Sequence, residues 1–287
     1  MSTYFPEDPN HPLDGLDVSH WQKNVDYRAF ARNGGEFVII KHSGANTGKL
    51  YLASRHAEHL AGARAAGLAI GHYYVVNGHL SILDQAKFFV DNLRTVIRPG
   101  EIVVLDNESL DKGVAFTPQQ VLAWMAYVQQ QLNLVPVYYS YPALMRRQDL
   151  REVAKKYPLW LAAFNKNNGT TEGGWQKHMV GLPWKEPAIW QYTSQGRIEG
   201  YAGPIDRNIA KQDVFRLYGY KGSAPTPPPS SAELPKTAID GVPGPVTWKR
   251  LQTFLKREWG YTGPIDGIAG PNTWKAMQRF ANSIETP

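Results

Sequence analysis

Short, continuous apolar runs recur along the chain as far as Tyr220, separated by amphipathic or polar stretches. The strongest are Phe37 to Ile40, Leu68 to Ile70, Ile102 to Leu105, Val135 to Val137 and Leu159 to Ala163. None has the length of a membrane-spanning helix. The pattern predicts strands over Leu13 to Val18, Glu36 to His42, Ala69 to Val76, Ile102 to Asp106, Val135 to Tyr139, Leu159 to Ala163 and Ala188 to Tyr192. A last strand is expected around Asp206. Helices are predicted near Asp26 to Asn33, over Leu52 to Ala66 (stopped by Gly67), and over Ile82 to Val96 (ended by Pro99-Gly100). Another opens at Thr117-Pro118, an N-cap followed by a proline in the first helical position, and runs to about Leu132. Strands that are apolar throughout suit a parallel sheet covered on both faces. Alternating β and α segments imply crossover helices. The expected fold class is therefore α/β, most economically closed as an irregular (β/α) barrel, with an open doubly wound sheet as the alternative.

The pattern breaks at Gly222 to Pro235, GSAPTPPPSSAELP, where five prolines with Ser, Thr and Ala read as a semi-rigid extended linker. It divides the chain into a large domain, residues 1–221, and a small one, residues 236–287. The small domain contains an internal repeat: Ile239 to Leu255 reads IDGVPGPVTWKRLQTFL and Ile265 to Ala281 reads IDGIAGPNTWKAMQRFA. Each unit predicts a Gly-rich turn and then a helix beginning at Pro245 or Pro271. Trp248, Leu251 and Leu255, or Trp274, Met277 and Ala281, would share a face. Both tryptophans are expected in the core, with Asp240 and Asp266 as turn formers.

Composition narrows the classes. Hydrophobic residues make up 43% of the chain, enough for a packed core, and cysteine is absent, which excludes disulfides and cysteine-ligated metals. The net charge of +6 fits an acidic partner such as a bacterial wall, but without a dense Lys/Arg block it gives little support to nucleic-acid binding. The N-terminal stretch MSTYFPEDPNHP lacks the basic start and apolar core of a signal peptide.

The candidate chemistry begins at Ile102 to Glu108, a buried strand ending in Asp106-Asn107-Glu108. Positions two apart on a strand face the same way, so Asp106 and Glu108 project together if the extended geometry continues through Glu108. In a barrel that edge is the mouth where active sites sit. Paired carboxyls suit glycoside cleavage: one donates a proton to the leaving oxygen and a second group stabilises the oxocarbenium-like centre. A like charge raises its neighbour's pKa and keeps one carboxyl protonated near neutral pH. Taken alone, Asp-x-Glu after a strand is more often a solvated loop. Asp17, ending the first strand, and Asp206, in Pro204 to Asn208, add carboxyls at two further strand ends.

With these residues assembled, the chain resembles glycoside hydrolase family 25, the Chalaropsis-type lysozymes of bacteria and their phages. The resemblance runs from about Leu13 to Tyr218 and is carried by GLDVSHWQ, FVIIKHSGA, AIGHYYVV, VVLDNES, VPVYYS, LWLAAF, AIWQYTSQGRI and IDRN. It implies an irregular β/α barrel with an acidic cleft that cuts the β-1,4 bond between N-acetylmuramic acid and N-acetylglucosamine without metal or organic cofactor. By matching position Glu108 is the general acid and Asp106 its partner, while Asp17 and Asp206 line the same pocket. Asp106 would be either a covalent nucleophile or a group steering the substrate's own N-acetyl oxygen. Tyr73, Tyr139, Trp160 and Gln191 are expected near the sugar. Three positions depart from the family: Tyr73-Tyr74-Val75 where Tyr-His-Phe is common, Phe164 where Tyr is usual, and Gly44 in a stretch that often carries an acid. These bear on subsites rather than on the acid pair. The repeats resemble peptidoglycan-binding modules.

The resulting expectation is a monomeric phage endolysin. It would be held in the host cytoplasm until release, act on bacterial peptidoglycan, and bind neither membrane nor nucleic acid. Two other readings compete. A zinc amidase or peptidase would need ligands from His20, His42, His56, His59 and His72, which lack a His-Glu-x-x-His pattern. A non-catalytic wall-binding protein would have no use for four strand-end acids.

Overall fold

The computed structural model describes residues 12–46, 48–108, 114–222 and 242–282. Apart from Gly222, the linker expected over Gly222 to Pro235 lies outside them, as does Asp240. Contacts divide the chain into two units, Met1–Pro225 and Thr226–Pro287, and each is described by itself.

The first unit runs β1 (Leu13–Val18), α1 (Tyr27–Arg32), β2 (Phe37–Asn46), β3 (Lys49–Leu52), α2 (His56–Ala65), β4 (Ala69–Val75), α3 (Ile82–Leu93), β5 (Ile102–Asp106), α4 (Pro118–Leu132) and β6 (Val137–Ser140). After these come the short helices α5 (Pro142–Met145) and α6 (Arg151–Ala154), then β7 (Leu159–Ala162), β8 (Ile189–Ile198), β9 (Tyr201–Ala210) and α7 (Val214–Tyr218). The strands close into a barrel in the order β1, β9, β8, β7, β6, β5, β4, β2, with β1 pairing back onto β2 and β3 hanging from β2 as a hairpin. The fold is α/β, with eight strands in the closed ring.

Pairing is parallel from β1 through β2, β4, β5, β6 and β7 to β8. The sequence pattern implies parallel strands throughout, and β9 corrects it by running antiparallel to both β8 and β1. Only Glu199-Gly200 separates β8 from β9, and Gly200 has φ of 90°. A connection that short makes a hairpin and leaves no room for a crossover helix. The expected helix over Leu52 to Ala66 is corrected in the same way. Its first residue, Leu52, ends a hairpin strand that Gly48 (φ 81°) helps turn back onto an extended β2, and the helix starts only at His56 after a turn over residues 53–55.

Side-chain alternation sorts the strands into two packed layers. Phe37, Ile39, Ile102, Val104, Val137 and Ile189 point inward and fill the barrel with Phe215 from α7. Val103, Leu105, Tyr138 and Leu161 point outward against Phe89 of α3 and Trp124 of α4. Gly15 on β1 is required by this filling, since a Cβ there would lie 2.4 Å from the Phe37 ring. Helix ends follow their local chemistry. Thr117 and Gln120 form a reciprocal capping box on α4, and Asp26 accepts from the Ala29 N–H at 2.9 Å to open α1.

One polar chain crosses the outer layer. Glu101, buried just before β5, accepts from Arg64 Nη2 at 2.6 Å, His72 Nε2 at 2.9 Å and the Arg98 N–H at 2.9 Å. With the His72 Nε2–H donated to a carboxylate, its Nδ1 accepts from His56 Nε2 at 3.0 Å. Burial pushes the His72 pKa down, and the ring serves here as a neutral donor. Burial alone would raise Glu101, but the His72 and Arg64 hydrogen bonds hold its carboxyl below the usual range.

The second unit contains α8 (Pro245–Glu258) and α9 (Pro271–Asn282). Leu255, Tyr261 and Ala276 form its buried centre, with Leu251, Phe254, Met277 and Phe280 packed around them. Gln252 is the polar hub. Its Nε2 donates to Asp266 Oδ1 at 2.9 Å and to the Ile268 carbonyl at 2.8 Å, while its Oε1 accepts from the Gly267 N–H at 2.9 Å. Asp266 is thus a turn former. The expected apolar face of the second repeat needs correction: Thr273 and Ala276 are buried, whereas Trp274 is 49% exposed and Ala281 is exposed. The stripe runs 273, 276, 277, 280, and Trp274 lies about one residue's rotation to its side, where it meets the half-buried Trp248 ring edge-on at 5.7 Å.

Replacing Glu101 with Gln leaves the Arg64 charge without its carboxylate and sets an amide donor against two others. The first unit is expected to lose about 2–4 kcal/mol, read by chemical unfolding. An unchanged midpoint would contradict the role given to this chain.

Candidate active site

The alternation that fills the barrel also builds the site. On each strand the inward parity that carries apolar residues at mid-barrel carries polar or aromatic ones at the C-terminal end. After Ile102 and Val104 comes Asp106; after Phe37 and Ile39 comes Lys41; after Val137 comes Tyr139; after Ile189 comes Gln191. On β1, Gly15 is followed by Asp17, and the antiparallel β9 brings Asp206 directly opposite it in register. The ring continues through the register pairs Asp106 with Tyr139 and Tyr139 with Trp160. The result is one cavity of about 220 Å³ lined by Asp17, Tyr73, Asp106, Glu108, Tyr139, Trp160, Phe164, Gln191 and Asp206. The eight residues singled out from the sequence all meet there. Phe164, noted only as a departure from the family pattern, completes the lining.

Asp17 is held in a fixed network. Its Oδ2 accepts from Gln191 Nε2 and from Asn208 Nδ2, both at 2.8 Å. Gln191 Oε1 accepts from the Tyr139 hydroxyl at 3.1 Å, and Asn208 Oδ1 accepts from Trp160 Nε1 at 2.8 Å. Tyr139 and Trp160 thus serve the carboxyl as well as lining the cavity. Asn208 was missed in the sequence, although its inward parity two residues after Asp206 would have found it.

Regular strand pairing stops at Asp106, short of Glu108. Asn107 carries the extended path one residue further, its N–H donating to the Tyr139 carbonyl at 3.0 Å. Its side chain points away from the cavity and is clamped there. Nδ2 donates to the Tyr138 hydroxyl at 3.0 Å, and Oδ1 accepts from the Phe116 N–H at 2.6 Å. This anchor keeps the two acids beside it on the cavity side, where each shifts the other's pKa. Asn107 gave no sequence signal beyond its place between them.

The four carboxyls share one desolvated space, and each is pushed upward. For Asp106 the causes are burial and then the Glu108 charge, and its pKa stands well above the carboxylate range. Asp106 Oδ1 is buried without a hydrogen-bond partner. Burial, then the charge of Asp17, raises Glu108 to about 7. Burial, then Asp17 and Glu108, raises Asp206 to about 8. Burial also raises Asp17, but the Asn208 and Gln191 amides oppose it and it reaches only about 6. Asp17 is therefore the first to ionise, and its charge keeps protons on the others. Lys41, whose Nζ lies 5.5 Å from the Tyr51 ring and 6.0 Å from the Tyr73 ring, supplies opposing positive charge to Asp106 and Glu108. It too was missed as a site residue.

Four of the five histidines weighed as zinc ligands, all but the exposed His20, are hydrogen-bonded away from the cavity. His56 and His72 are hydrogen-bonded to each other, His72 also to Glu101, and His42 Nδ1 to Ser43 Oγ at 2.8 Å. His59 bonds Tyr27 and the Ser19 carbonyl.

A closed barrel with paired, partly protonated carboxyls at its C-terminal mouth has the equipment of a glycoside hydrolase. Comparison with known proteins agrees. Residues 16–201 match the model for glycosyl hydrolases family 25, and the chain belongs to that family. It is 27% identical over 219 residues to the YegX protein of Escherichia coli O6:H1, an alignment covering 74% of each chain. It is 26% identical over 219 residues to lysozyme M1 of Streptomyces globisporus, covering 71% of this chain and 70% of that one. Its fold matches the catalytic domain of endolysin ply40 from bacteriophage P40 of Listeria monocytogenes with a TM-score of 0.58 at 22% identity, covering 73% of this chain and 98% of that one. The protein is a glycoside hydrolase.

On the expectation from the sequence that Glu108 donates the proton, activity falls as pH rises through its pKa. The Lys41 charge lowers that pKa. Lys41→Met is therefore expected to move the alkaline limb of the pH–rate profile upward by roughly 0.5 unit. A limb that stays in place or moves down would contradict the electrostatic role of Lys41.

Proposed function

We propose that this chain is a muramidase that hydrolyses the β-1,4 bond between N-acetylmuramic acid and N-acetylglucosamine in bacterial peptidoglycan, with Glu108 as general acid. The observation that carries the reading is the Asp106–Glu108 pair, two residues apart and together on the lining of one small cavity. Glu108, half-buried and raised to about 7, can keep its proton at neutral pH and still reach substrate. Asp17, Asp206 and Lys41 set the field around it, and Tyr73, Tyr139, Trp160 and Gln191 flank the sugar.

The pair also favours one role for Asp106. Asp106 is buried, with its pKa far above that of a ready nucleophile. This supports a substrate-assisted route. The N-acetyl oxygen of the bound sugar attacks its own anomeric carbon, Asp106 orients the amide, and Glu108 protonates the leaving oxygen and then activates the water that opens the intermediate.

We further read residues 1–221 as the catalytic domain, 222–235 as a linker and 236–287 as a wall-binding module that keeps the enzyme on its insoluble substrate. Likeness to the catalytic domain of a phage endolysin favours that role here: storage in the host cytoplasm, then release onto the wall.

Digestion of purified peptidoglycan should generate new N-acetylmuramic acid reducing ends by mass spectrometry, and Glu108→Gln should lose at least about 100-fold in turnover while still binding walls. New N-acetylglucosamine ends, freed stem peptides, or wild-type turnover in the variant would each overturn the assignment. Truncation after Tyr220 should preserve cleavage of soluble fragments and weaken retention on whole walls. Equal retention would refute the anchoring role.

A further inference from the structure

The cavity is small for a polymeric substrate. Its volume of about 220 Å³ falls below that of pockets that enclose a drug-sized ligand. A glycan strand cut there must continue across the rim of the barrel. The rim beside Asp17 carries an unusual side chain: Trp21, 74% exposed, four residues beyond Asp17 where β1 leaves the barrel mouth.

A single exposed aromatic residue needs no explanation, but Trp21 stands on a built support. Its N–H donates to Ser19 Oγ at 3.4 Å, and the Ser19 N–H donates to Gln22 Oε1 at 2.9 Å. The Ser19 carbonyl accepts from Nε2 of the buried His59 at 2.9 Å. Because that nitrogen donates, His59 Nδ1 accepts, and the Tyr27 hydroxyl donates to it at 2.7 Å. A buried hydrogen-bond relay thus fixes the backbone that presents an apolar ring to solvent. The His20 ring packs against Trp21 at 4.3 Å between centroids. Burial lowers the His20 pKa and the Lys41 and Arg55 charges add to this, while Lys41 faces Tyr73 in the cavity. His20 and Trp21 thus stand three and four residues beyond Asp17, a carboxyl on the cavity lining.

We propose that Trp21, backed by His20, is a stacking platform for a sugar of the same glycan strand beyond the two that flank the scissile bond. The face of an amino sugar presents C–H groups, and an indole held open to solvent offers the flat apolar surface they pack on. The platform makes the enzyme prefer long strands over short fragments by adding binding energy remote from the reacting atoms. This rests on the muramidase reading above.

The test compares full-length wild type, Trp21→Ala and Trp21→Phe on uncrosslinked glycan strands and on the disaccharide dimer of N-acetylglucosamine and N-acetylmuramic acid. Trp21→Ala should raise KM on strands about tenfold with kcat within twofold, leave kcat/KM on the dimer within twofold, and be largely restored by Trp21→Phe. An unchanged KM on strands, or an equal loss on both substrates, would overturn the platform. Failure of the wild type to release N-acetylmuramic acid ends would overturn the muramidase reading instead. Trp21 is exposed, so the melting temperature should be the same in all three proteins. If Trp21→Ala lowers it, Trp21→Phe at wild-type stability carries the comparison, and identical KM on strands for Trp21→Phe and Trp21→Gly would overturn the proposal.

Discussion

Four carboxyl groups placed in one small desolvated cavity cannot all be ionised, and the rest of the site is arranged around that constraint. Asp17, with two amide donors on one oxygen, is the most easily charged of the four. Burial and then the Asp17 charge push Glu108 and Asp206 upward together. Lys41 acts in the opposite sense on Asp106 and Glu108. The cluster behaves as one coupled acid, and catalytic competence depends on how many protons it keeps.

The same constraint reaches the fold. A carboxyl whose folded-state pKa is raised favours the folded chain below its ordinary pKa, and that contribution fades as pH rises through the folded value. For Asp17, Glu108 and Asp206 the window runs from the ordinary carboxylate range up to about 6, 7 and 8. The buried histidines oppose this trend. Burial lowers His56 to about 3, so it favours the folded state above its ordinary pKa and is lost as pH falls below that value. The barrel tolerates the acid cluster because the layer beneath it is filled: Phe37, Ile39, Ile102, Val104, Val137 and Ile189 close the interior under the site.

Much of this was legible in the sequence because a strand's two-residue period is a geometric rule. A buried run ending in Asp106-Asn107-Glu108 places both acids on one side, and strand-end positions 17, 73, 139, 160, 191 and 206 follow the same logic. Long-range pairing was not legible. That β9 runs antiparallel depends on a hairpin at Glu199-Gly200, and this is what sets Asp206 against Asp17. Zinc ligation by the histidines was only a competing reading, and four of them, His42, His56, His59 and His72, bond one another, Glu101, Ser43, Tyr27 and the Ser19 carbonyl. In the second unit, repeat symmetry concealed a physical asymmetry: Gln252 is the buried hub and its counterpart Gln278 is exposed.

The central claim is that the site holds protons on carboxyl groups at neutral pH. Side-chain carboxyl 13C NMR of protein labelled at Asp and Glu, titrated from pH 4 to pH 9 in wild type and in Glu108→Gln, measures this directly. The account predicts carboxyl resonances that titrate well above the ordinary range of about 4, one of them near 7 and absent from the variant, with the Asp106 and Asp206 signals moving down once the Glu108 charge is removed. Titration of every Asp and Glu at ordinary values, with the variant unchanged apart from one missing signal, would contradict it.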